Sequence, residues 1–340
     1  MRRRGATVLL GALLLAVLLW QVGEVPVPYV QVGPGPTVDT LGTNGGHRVI
    51  VVQGATTSTS AGQLRLVTVG ITSDLTLLEA LRGWWQSDYA VVPRELYYPP
   101  DKTEQQVEQE SAQDFQVSQT SAETAALRVL GYPVQITVTG LVAGGPAEGQ
   151  LAAGDIIASV DGSPVTSTHA YDKLVRAKPA GTALAFGIVH DGVTRTVTLT
   201  PVRDADGTPR IGVTAESRQP HPFEVKIDLA RIGGPSAGLM FALGIIDTLD
   251  PADLTGGIII AGTGEIDEDG NVGPIGGVPQ KLLAATAAHA TVFLTPAANC
   301  AEAVSHAQPG LTLVKVSTLD DALTALRALR EHRQPTLCTS

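Results

Sequence analysis

The first pattern in the chain is an apolar stretch behind three arginines. Arginines at residues 2–4 precede a mainly apolar run over residues 6–22, which is close to the roughly 20 residues that a membrane-spanning helix needs. A cleaved signal peptide is the alternative, but no A-x-A-like cleavage site follows the run. We favour an uncleaved transmembrane signal anchor over residues 1–24, with the arginines in the cytoplasm and the later residues on the extracytoplasmic side.

The pattern after this stretch changes twice. Residues 25–45 are rich in proline and glycine, which predicts a stiff, extended linker. Apolar residues then predict strands over Arg48–Gln53 and Gln63–Ile71 and a helix over Leu75–Trp85. Asp101–Leu130 is rich in glutamine and glutamate, and its spaced apolar positions predict one long or bent helix that is polar on one side.

Residues 131–204 consist of short apolar segments between glycine turns. The segment 144–162, GGPAEGQLAAGDIIASVDG, predicts a tight turn, a short helix over Pro146–Leu151 and a strand over Ile156–Val160. The further elements are a helix over Ser167–Ala177 and strands over Leu184–His190 and Val193–Pro201. This order of small residues, turn and strand resembles the signature of a PDZ domain.

A PDZ-like unit has a consequence for binding. The resemblance implies that an extended peptide adds to the sheet as a strand, commonly through its C-terminal carboxylate. The loop before the first strand, Leu130, Gly131 and Tyr132, is where we expect that carboxylate to bind. These residues do not match the Gly-Leu-Gly-Phe pattern that is usual in such loops.

Residues 205–340 alternate strands with helices. Gly257–Ala261 is apolar without alternation, as is typical of a strand that is buried on both faces. The other predicted elements are strands over Phe223–Leu229, Thr291–Leu294 and Leu311–Val316 and helices after Ser236, over Pro279–Ala290 and over Leu319–Leu329. This alternation predicts an α/β or α+β architecture, and for the whole chain we expect an α+β fold.

Composition narrows the possible partners. The 340 residues carry a net charge of −10 with 4% aromatic residues, and no Lys/Arg-rich stripe follows the first few residues, so we expect no nucleic-acid partner. The two cysteines, Cys300 and Cys338, lack zinc-site spacing, and we expect no metal and no cofactor. They could form a disulfide or remain free thiols, and the sequence leaves both possibilities open.

A candidate nucleophile lies in the pentapeptide GPSAG at residues 234–238. Ser236 precedes an apolar run of helical character, and N–H groups in the first turn of a helix have no intrahelical partner. The helix dipole also favours negative charge there. We therefore expect Gly234, Pro235 and Ala237 to form the turn and the site that stabilises an oxyanion during acyl transfer.

The pentapeptide alone allows other interpretations. It fits G-x-S-x-G, the nucleophile elbow of α/β-hydrolases, which requires a downstream histidine. His289, His306 and His332 could supply one. A serine at the start of a helix can also be only a cap.

A second stretch, residues 261–285, identifies a different base. Together with GPSAG, AGTGEIDEDGNVGPIGGVPQKLLAA closely resembles the proteolytic domain of the Lon family. The resemblance implies that Ser236 is the nucleophile, that Lys281 is the general base, and that Thr263 lies close to the lysine and helps to orient it. It also implies that residues 46–130 belong to the same protease domain, into which the PDZ unit is inserted.

The match has two departures from the family pattern. Gly233 stands where many members carry an acidic residue, and Pro279 and Gln280 replace a charged pair that is common before the lysine. Neither departure affects the residue types of the dyad. Because Lys281 must be neutral to accept a proton, it needs a pKa below the ordinary value near 10.4, and its apolar neighbours make desolvation a plausible cause.

These patterns lead to one expected function. No G-x-x-x-x-G-K-[ST] motif occurs in the 340 residues, so we expect no ATP-driven unfolding by this chain. We expect a membrane-anchored, ATP-independent serine endopeptidase with a Ser–Lys dyad and a PDZ domain over residues 131–204 for substrate recognition or gating. Residues 205–340 would form the catalytic domain.

The expected partners are protein or peptide substrates, which C-terminal tails could bring to the PDZ domain. The membrane is a partner through the N-terminal helix, and the resemblance implies a hexameric ring. A catalytically inactive peptide-binding scaffold and an α/β-hydrolase-like esterase are the alternatives.

Overall fold

The computed structural model describes residues 2–229 and 232–339, and the side chains of residues 2–9 and of Leu19 lie outside the described part. The helices are α1 (Arg2–Gly23), α2 (Leu77–Trp85), α3 (Glu104–Val129), α4 (Thr168–Arg176), α5 (Gly238–Leu249), α6 (Val278–Ala287), α7 (Cys300–Ser305) and α8 (Leu319–Arg330).

Short strands make up most of the remaining regular structure. The first ten are β1 (Tyr29–Asp39), β2 (Thr43–Asn44), β3 (His47–Arg48), β4 (Ile50–Gln53), β5 (Gln63–Thr72), β6 (Ala90–Pro93), β7 (Gln135–Leu141), β8 (Ile156–Val160), β9 (Ser163–Pro164) and β10 (Leu184–His190). The others are β11 (Val193–Leu199), β12 (Val202–Arg203), β13 (Pro209–Arg210), β14 (Val213–Arg218), β15 (Glu224–Ile227), β16 (Ile259–Gly262), β17 (Glu265–Ile266), β18 (Val272–Gly273), β19 (Val292–Pro296) and β20 (Thr312–Val316).

The central sheet joins distant parts of the chain in the order β20-β19-β16-β5-β1-β6. β20, β19, β16 and β5 are parallel, whereas β1 is antiparallel to both β5 and β6. The mixed sheet and its helices are α+β, as expected. Residues from before and after the PDZ-like unit therefore build one layer.

The expected linker over residues 25–45 is corrected by this sheet, because it contributes β1. Val30, Val32 and Val38 of β1 are buried in the core. Its prolines are accommodated at a register shift between Pro34 and Thr37, where the ladder of hydrogen bonds is interrupted and a proline costs little. The proline content indicated an extended backbone correctly but concealed that the backbone is paired.

A second sheet, in the order β11-β10-β8-β7-β14, encloses its own apolar core. β14 pairs with β7 and runs to Arg218, so this sheet extends beyond residue 204, where we expected the PDZ-like unit to end. The predicted helix over Pro146–Leu151 is absent, because these residues form turns. The glycines on either side of this segment favour turns over a continued helix.

Helix α5 is the centre of the protease core. All but one of its residues are buried, and Phe241 packs edge-to-face on Phe115 of α3, with ring centroids 5.7 Å apart. α3 begins with a capping box between Thr103 and Gln106, which fixes its first turn. The apolar positions on one side of α3 pack against α5 in the same core.

The fold also tests the predicted strand over Arg48–Gln53 and the state of the two cysteines. The single strand predicted over Arg48–Gln53 is divided, since β3 pairs with β2 and β4 pairs with β15. Cys300 and Cys338 form a disulfide with their Cα atoms 5.1 Å apart. The bond fastens the C-terminal tail to the first turn of α7.

The N-terminal segment forms a helix, α1. Leu10, Leu14 and Leu18 are each more than half exposed. Among the residues that the structure describes, no helix is both long enough and apolar enough to cross a membrane. The arginine side chains at residues 2–4 lie outside the described part.

Candidate active site

Ser236 lies in a turn that α3 holds in place. Gly234 adopts a φ of +81°, which glycine reaches without steric cost, and its N–H donates to the carbonyl of Ser111 at 2.9 Å. Ser118 Oγ donates to the carbonyl of Pro235, also at 2.9 Å. The two serines of α3 therefore bind the turn from one side, a role that their polar, helix-interior positions did not reveal in the sequence.

The same packing leaves little room beside Gly233, which stands where the Lon resemblance predicts an acidic residue in many members. A Cβ at residue 233 would lie 2.2 Å from Ser111 Oγ. The side chain of Ser111 would have to shift to admit a side chain there.

Lys281 reaches Ser236 from α6. Its Nζ lies 3.0 Å from Ser236 Oγ and 3.1 Å from Thr263 Oγ1. α6 begins after Gly277, whose φ is +70°, and a Cβ there would lie 2.6 Å from Val69 Cγ1. Glycine at this position therefore lets the first turn of α6 approach β5 closely enough to deliver the lysine.

Hydrogen counting assigns a direction to each bond in this cluster. Thr263 Oγ1 donates its one hydrogen to the carbonyl of Ser236 at 3.0 Å, so its oxygen is left to accept from Lys281. A neutral lysine that donates one N–H to Thr263 can present its lone pair to the hydroxyl of Ser236. The arrangement is therefore suited to a serine that donates and a lysine that accepts.

The electrostatics favour a neutral lysine. Lys281 is 3% exposed, and burial lowers its pKa from 10.5 to about 8, while the nearby Glu265 acts in the opposite direction. Burial also raises the pKa of Glu265, with a smaller contribution from Asp114. Because desolvation outweighs the attraction of the carboxylate, a substantial fraction of Lys281 is neutral near pH 8.

A candidate oxyanion site lies beside the serine. Within the described residues, the N–H groups of Ser236 and Ala237 have no hydrogen-bond partner, and they lie at the N-terminal end of α5. The expected set of Gly234, Pro235 and Ala237 is corrected in part, because the N–H of Gly234 is already bonded and proline has none. Gly234 and Pro235 shape the turn, and Ser236 and Ala237 supply the donors.

A cleft of about 290 Å³ opens onto the serine and the lysine. Its lining comes from five segments, namely Pro36, Val67, Thr68, Val69, Ile71, Ser111, Ile232, Gly233, Ser236, Ala237 and Lys281. β16 ends at Gly262, opposite Leu66 of β5. Beyond that point β5 has an open edge on the side of the cleft, since no described backbone group pairs with residues 67–71 there.

The sequence did not single out the residues from β1 and β5 in this cleft. Pro36 and Thr68 meet where β1 shifts register, and Thr68 Oγ1 donates to the carbonyl of Pro36 at 2.8 Å. The alternating pattern of Gln63–Ile71 predicted a strand, but it did not show that this strand lies beside the serine.

Histidine has no part in the described site. His306 Nδ1 lies 3.0 Å from Ser305 Oγ on α7, and no histidine is among the residues that line the cleft. Among the described residues, no group of three or more His, Cys, Asp or Glu side chains could hold a metal ion.

The expected carboxylate loop at Leu130, Gly131 and Tyr132 is corrected by its hydrogen bonds. The N–H groups of these residues donate to the carbonyls of Ala126, Arg128 and Leu127, respectively, at the end of α3. A loop whose N–H groups cap a helix cannot offer them to a peptide carboxylate. The edge strands of the second sheet are β11 and β14, and β14 is preceded by the segment Ile211-Gly212.

Comparison with known families finds two matches in this chain. Residues 230–328 match the family described as Lon protease (S16) C-terminal proteolytic domain, and residues 106–200 match the PDZ domain family. The second match begins inside α3, whereas the strands of the second sheet span Gln135–Arg218.

Curated relatives carry the same name. The chain is 32% identical over 128 residues to Lon protease 1 of Sorangium cellulosum (strain So ce56), covering 36% of this chain and 16% of that protein. It is 31% identical over 120 residues to Lon protease of Koribacter versatilis (strain Ellin345), covering 34% and 14%. Lon protease of Azospirillum brasilense is 40% identical over 96 residues, covering 26% and 11%. The matched region therefore spans less than a fifth of each relative.

Solved PDZ domains also resemble part of the chain. The PDZ domain of the SdrC-like protein from Listeria monocytogenes is 26% identical with a TM-score of 0.23, covering 24% of this chain and 85% of that one. Its counterpart from Listeria innocua is 25% identical with a TM-score of 0.23, covering 26% and 98%.

The family match over residues 230–328 and the names of the relatives indicate the same class of protein, a protease. The chain contains a PDZ domain and a Lon-type proteolytic domain, which is the domain of a serine endopeptidase.

Proposed function

We propose that this protein is an ATP-independent, membrane-anchored serine endopeptidase that uses a Ser236–Lys281 dyad, with the PDZ domain recognising or gating peptide substrates. The observation that carries the proposal is the contact of 3.0 Å between Lys281 Nζ and Ser236 Oγ. The lysine is buried and its pKa is lowered to about 8, so the group beside the serine is a base of suitable strength.

The proposed reaction begins with neutral Lys281. It takes the proton of Ser236 while Oγ attacks the carbonyl carbon of the scissile peptide bond. The N–H groups of Ser236 and Ala237 hold the negative oxygen that results. The lysine then gives its proton to the leaving amine, and in the second half-reaction it activates the water that hydrolyses the acyl-enzyme.

Two open sheet edges support an extended peptide as substrate. The edge of β5 at residues 67–71 faces the cleft, and a peptide that pairs with it would pass Ser236. The second edge is β14, where a substrate tail could add to the PDZ sheet. A single unfolded chain could contact both edges.

Cleavage of a reduced, unfolded protein by the purified full-length chain tests the dyad. We expect Ser236→Ala and Lys281→Ala each to abolish cleavage. Lys315→Ala is the matched control, because Lys315 is exposed and lies on β20, at the far edge of the central sheet from β6. Full activity of Lys281→Ala would contradict the dyad.

The same preparation separates the alternatives. An inactive scaffold predicts that a serine-reactive probe fails to label Ser236. A histidine-dependent esterase predicts that His306→Ala loses activity while Lys281→Ala keeps it.

Independence from ATP belongs to the proposal and is supported by the missing G-x-x-x-x-G-K-[ST] motif. We expect cleavage without nucleotide, at a rate that added ATP does not change. The hexameric ring implied by the family is also a proposal, and light scattering of the purified chain measures its mass. A mass of one chain under conditions of full activity would contradict the ring.

Attachment to a membrane is proposed from the sequence of residues 2–22 together with the exposed leucines of α1. The disulfide is consistent with an extracytoplasmic protease domain, since such bonds persist in oxidising compartments. Fractionation of cells with a tagged chain tests the location. Recovery of the intact chain in the soluble fraction would contradict it.

A further inference from the structure

All three tryptophans of the 340-residue chain lie on two helices that contact each other, α1 and α2. Trp20 is near the end of α1, and Trp84 and Trp85 end α2. Their exposed fractions are 66%, 55% and 93%, respectively. Exposed tryptophan is unusual on a soluble surface but is enriched where proteins cross the boundary between lipid and water.

Helix α2 presents its large apolar side chains outward. Leu78, Leu81 and Trp85 follow the i, i+3, i+7 spacing of a single stripe, and each is at least half exposed. The buried residues of the helix are the small ones, Ala80 and Gly83. An amphipathic helix on a soluble domain normally buries its apolar stripe, so this stripe is left for something outside the described chain.

The outward stripe is continuous with α1. The N–H of Leu77 donates to the carbonyl of Val25 at 2.8 Å, and the N–H of Val27 donates to the carbonyl of Leu75 at 2.9 Å. These bonds fix the exit of α1 on the start of α2. A Cβ at Gly23 would lie 3.5 Å from Leu78 Cβ, so the stripe begins where α1 ends.

The helix is also joined to the catalytic sheet. Trp84 packs edge-to-face on Tyr29, the first residue of β1, with ring centroids 5.6 Å apart, and its indole N–H donates to the carbonyl of Val91 in β6. Pro36, further along β1, lines the catalytic cleft. Seven residues of strand span about 23 Å, so α2 and the cleft are linked by one short strand.

The size of the surface favours lipid over a second protein copy. A nine-residue helix is about 14 Å long, and its one stripe offers far less than the roughly 800 Å² per partner that a stable protein interface buries. An amphipathic helix with tryptophan and leucine on one face is sufficient for the lipid interface. Exposed Arg82 and Glu79 flank the stripe and can remain in water.

We infer that α2 lies in the interface of a phospholipid bilayer, with Leu78, Leu81 and Trp85 inserted at the level of the headgroups. This inference rests on the proposed membrane attachment through α1. The contact would hold the protease domain against the bilayer and keep the cleft within about 30 Å of α2, since the Tyr29–Trp84 contact adds to the strand length given above.

Tryptophan fluorescence of the full-length chain in vesicles tests the inference. Two single-tryptophan variants are compared, one that keeps Trp85 and one that keeps Trp20, with phenylalanine at the other two positions. The vesicles contain phosphatidylcholine and phosphatidylglycerol, with or without bromine on the acyl chains. We expect brominated lipid to quench the emission of both variants by at least half.

A matched control and a second variant make the result specific. Val193→Trp in a chain whose native tryptophans are all phenylalanine places the probe at an exposed position of the PDZ domain, and we expect no quenching there. Leu78→Glu with Leu81→Glu should reduce the quenching of Trp85 at least two-fold and leave that of Trp20 unchanged. Both residues are exposed, so the substitutions do not disturb the core.

The outcomes separate this inference from the membrane proposal. Quenching of Trp20 without quenching of Trp85 overturns the inference and leaves the attachment through α1 standing. No quenching of either tryptophan overturns both. If Trp85 emission responds to protein density in the vesicle and not to bromine, a second copy covers α2 and the inference is wrong.

Discussion

Asp269 in the protease domain accepts a hydrogen bond from Ser167, the residue that caps α4 of the PDZ domain. The distance from Ser167 Oγ to Asp269 Oδ2 is 3.2 Å, and Thr166 Oγ1 donates to Asp269 Oδ1 at 3.0 Å. Arg128, at the end of α3, pairs with the same carboxylate. One turn therefore connects the PDZ domain to the hairpin β17–β18, which directly follows Thr263.

Asp269→Ala should loosen this connection. The carboxylate is about one quarter exposed, so we expect a loss of about 1–2 kcal/mol in the free energy of unfolding, below the full value for bonds to a charged group. Hydrogen exchange should increase in the first turn of α4 and in the hairpin. Glu268→Ala is the matched control, because only the carbonyl of Glu268 takes part in the contact. Equal exchange in both variants would argue against a link through Asp269.

Thr263→Val should lower kcat by about 10- to 100-fold, since a lost hydrogen bond to a charged or catalytic group costs about 1.5–3 kcal/mol. Valine keeps the buried shape but removes the acceptor for Lys281 and the donor to the Ser236 carbonyl. Thr263→Ser should restore most of the rate. Steady-state kinetics on a short peptide measure the effect, and a change confined to KM would exclude an orienting role.

The pH profile of cleavage should report the titration of Lys281. Because the lysine must be neutral and its pKa is about 8, kcat/KM should be low at pH 6, rise through about pH 8 and level off above it. A profile that is flat from pH 6 to pH 9 would contradict a lysine base.

The same lysine should make stability depend on pH. Its pKa is lower in the folded state than the ordinary 10.5, so between pH 8 and 10.5 the unfolded chain binds more protons and stability rises with pH. Below pH 8 the buried charge carries its full cost. Lys281→Met should therefore be more stable than the parent at pH 7, by an amount that narrows as the pH approaches 10.5. Thermal unfolding at both pH values measures this, and an advantage that does not vary with pH would show that burial of charge is not its cause.

Removal of the disulfide should destabilise the protease domain. Cys300 and Cys338 are 38 residues apart, and closing a loop of that length removes about 4 kcal/mol of unfolded-state entropy in the chain-entropy description. We expect the double variant Cys300→Ser, Cys338→Ser to unfold at lower denaturant concentration under oxidising conditions. Under reducing conditions it should match the parent. Ser305→Ala, an exposed change on α7, serves as the control.

Much of the secondary structure follows from local pattern. The helices α3 and α5, the strand β5 and the turn–strand order of the PDZ domain are visible in the spacing of apolar residues and glycines, because these features depend on neighbours within one or two turns. The prolines of segment 25–45 predict a linker. Prolines are also found in bulged strands, so this pattern alone does not distinguish the two. Its true place depends on pairing with β5 and β6, which local pattern does not report.

The sequence by itself determined which residues are candidates for the chemistry, since Ser236, Thr263 and Lys281 stand in motifs whose resemblance to the Lon family groups them together. Only the tertiary structure decided how they meet, because their distances depend on the close approach of α6 to β5 and of α3 to the turn before the serine. The burial that lowers the pKa of Lys281 comes from that packing. The same packing leaves the N–H groups of Ser236 and Ala237 without a hydrogen-bond partner among the described residues. Contacts between residues far apart in sequence determine which backbone groups are already hydrogen-bonded.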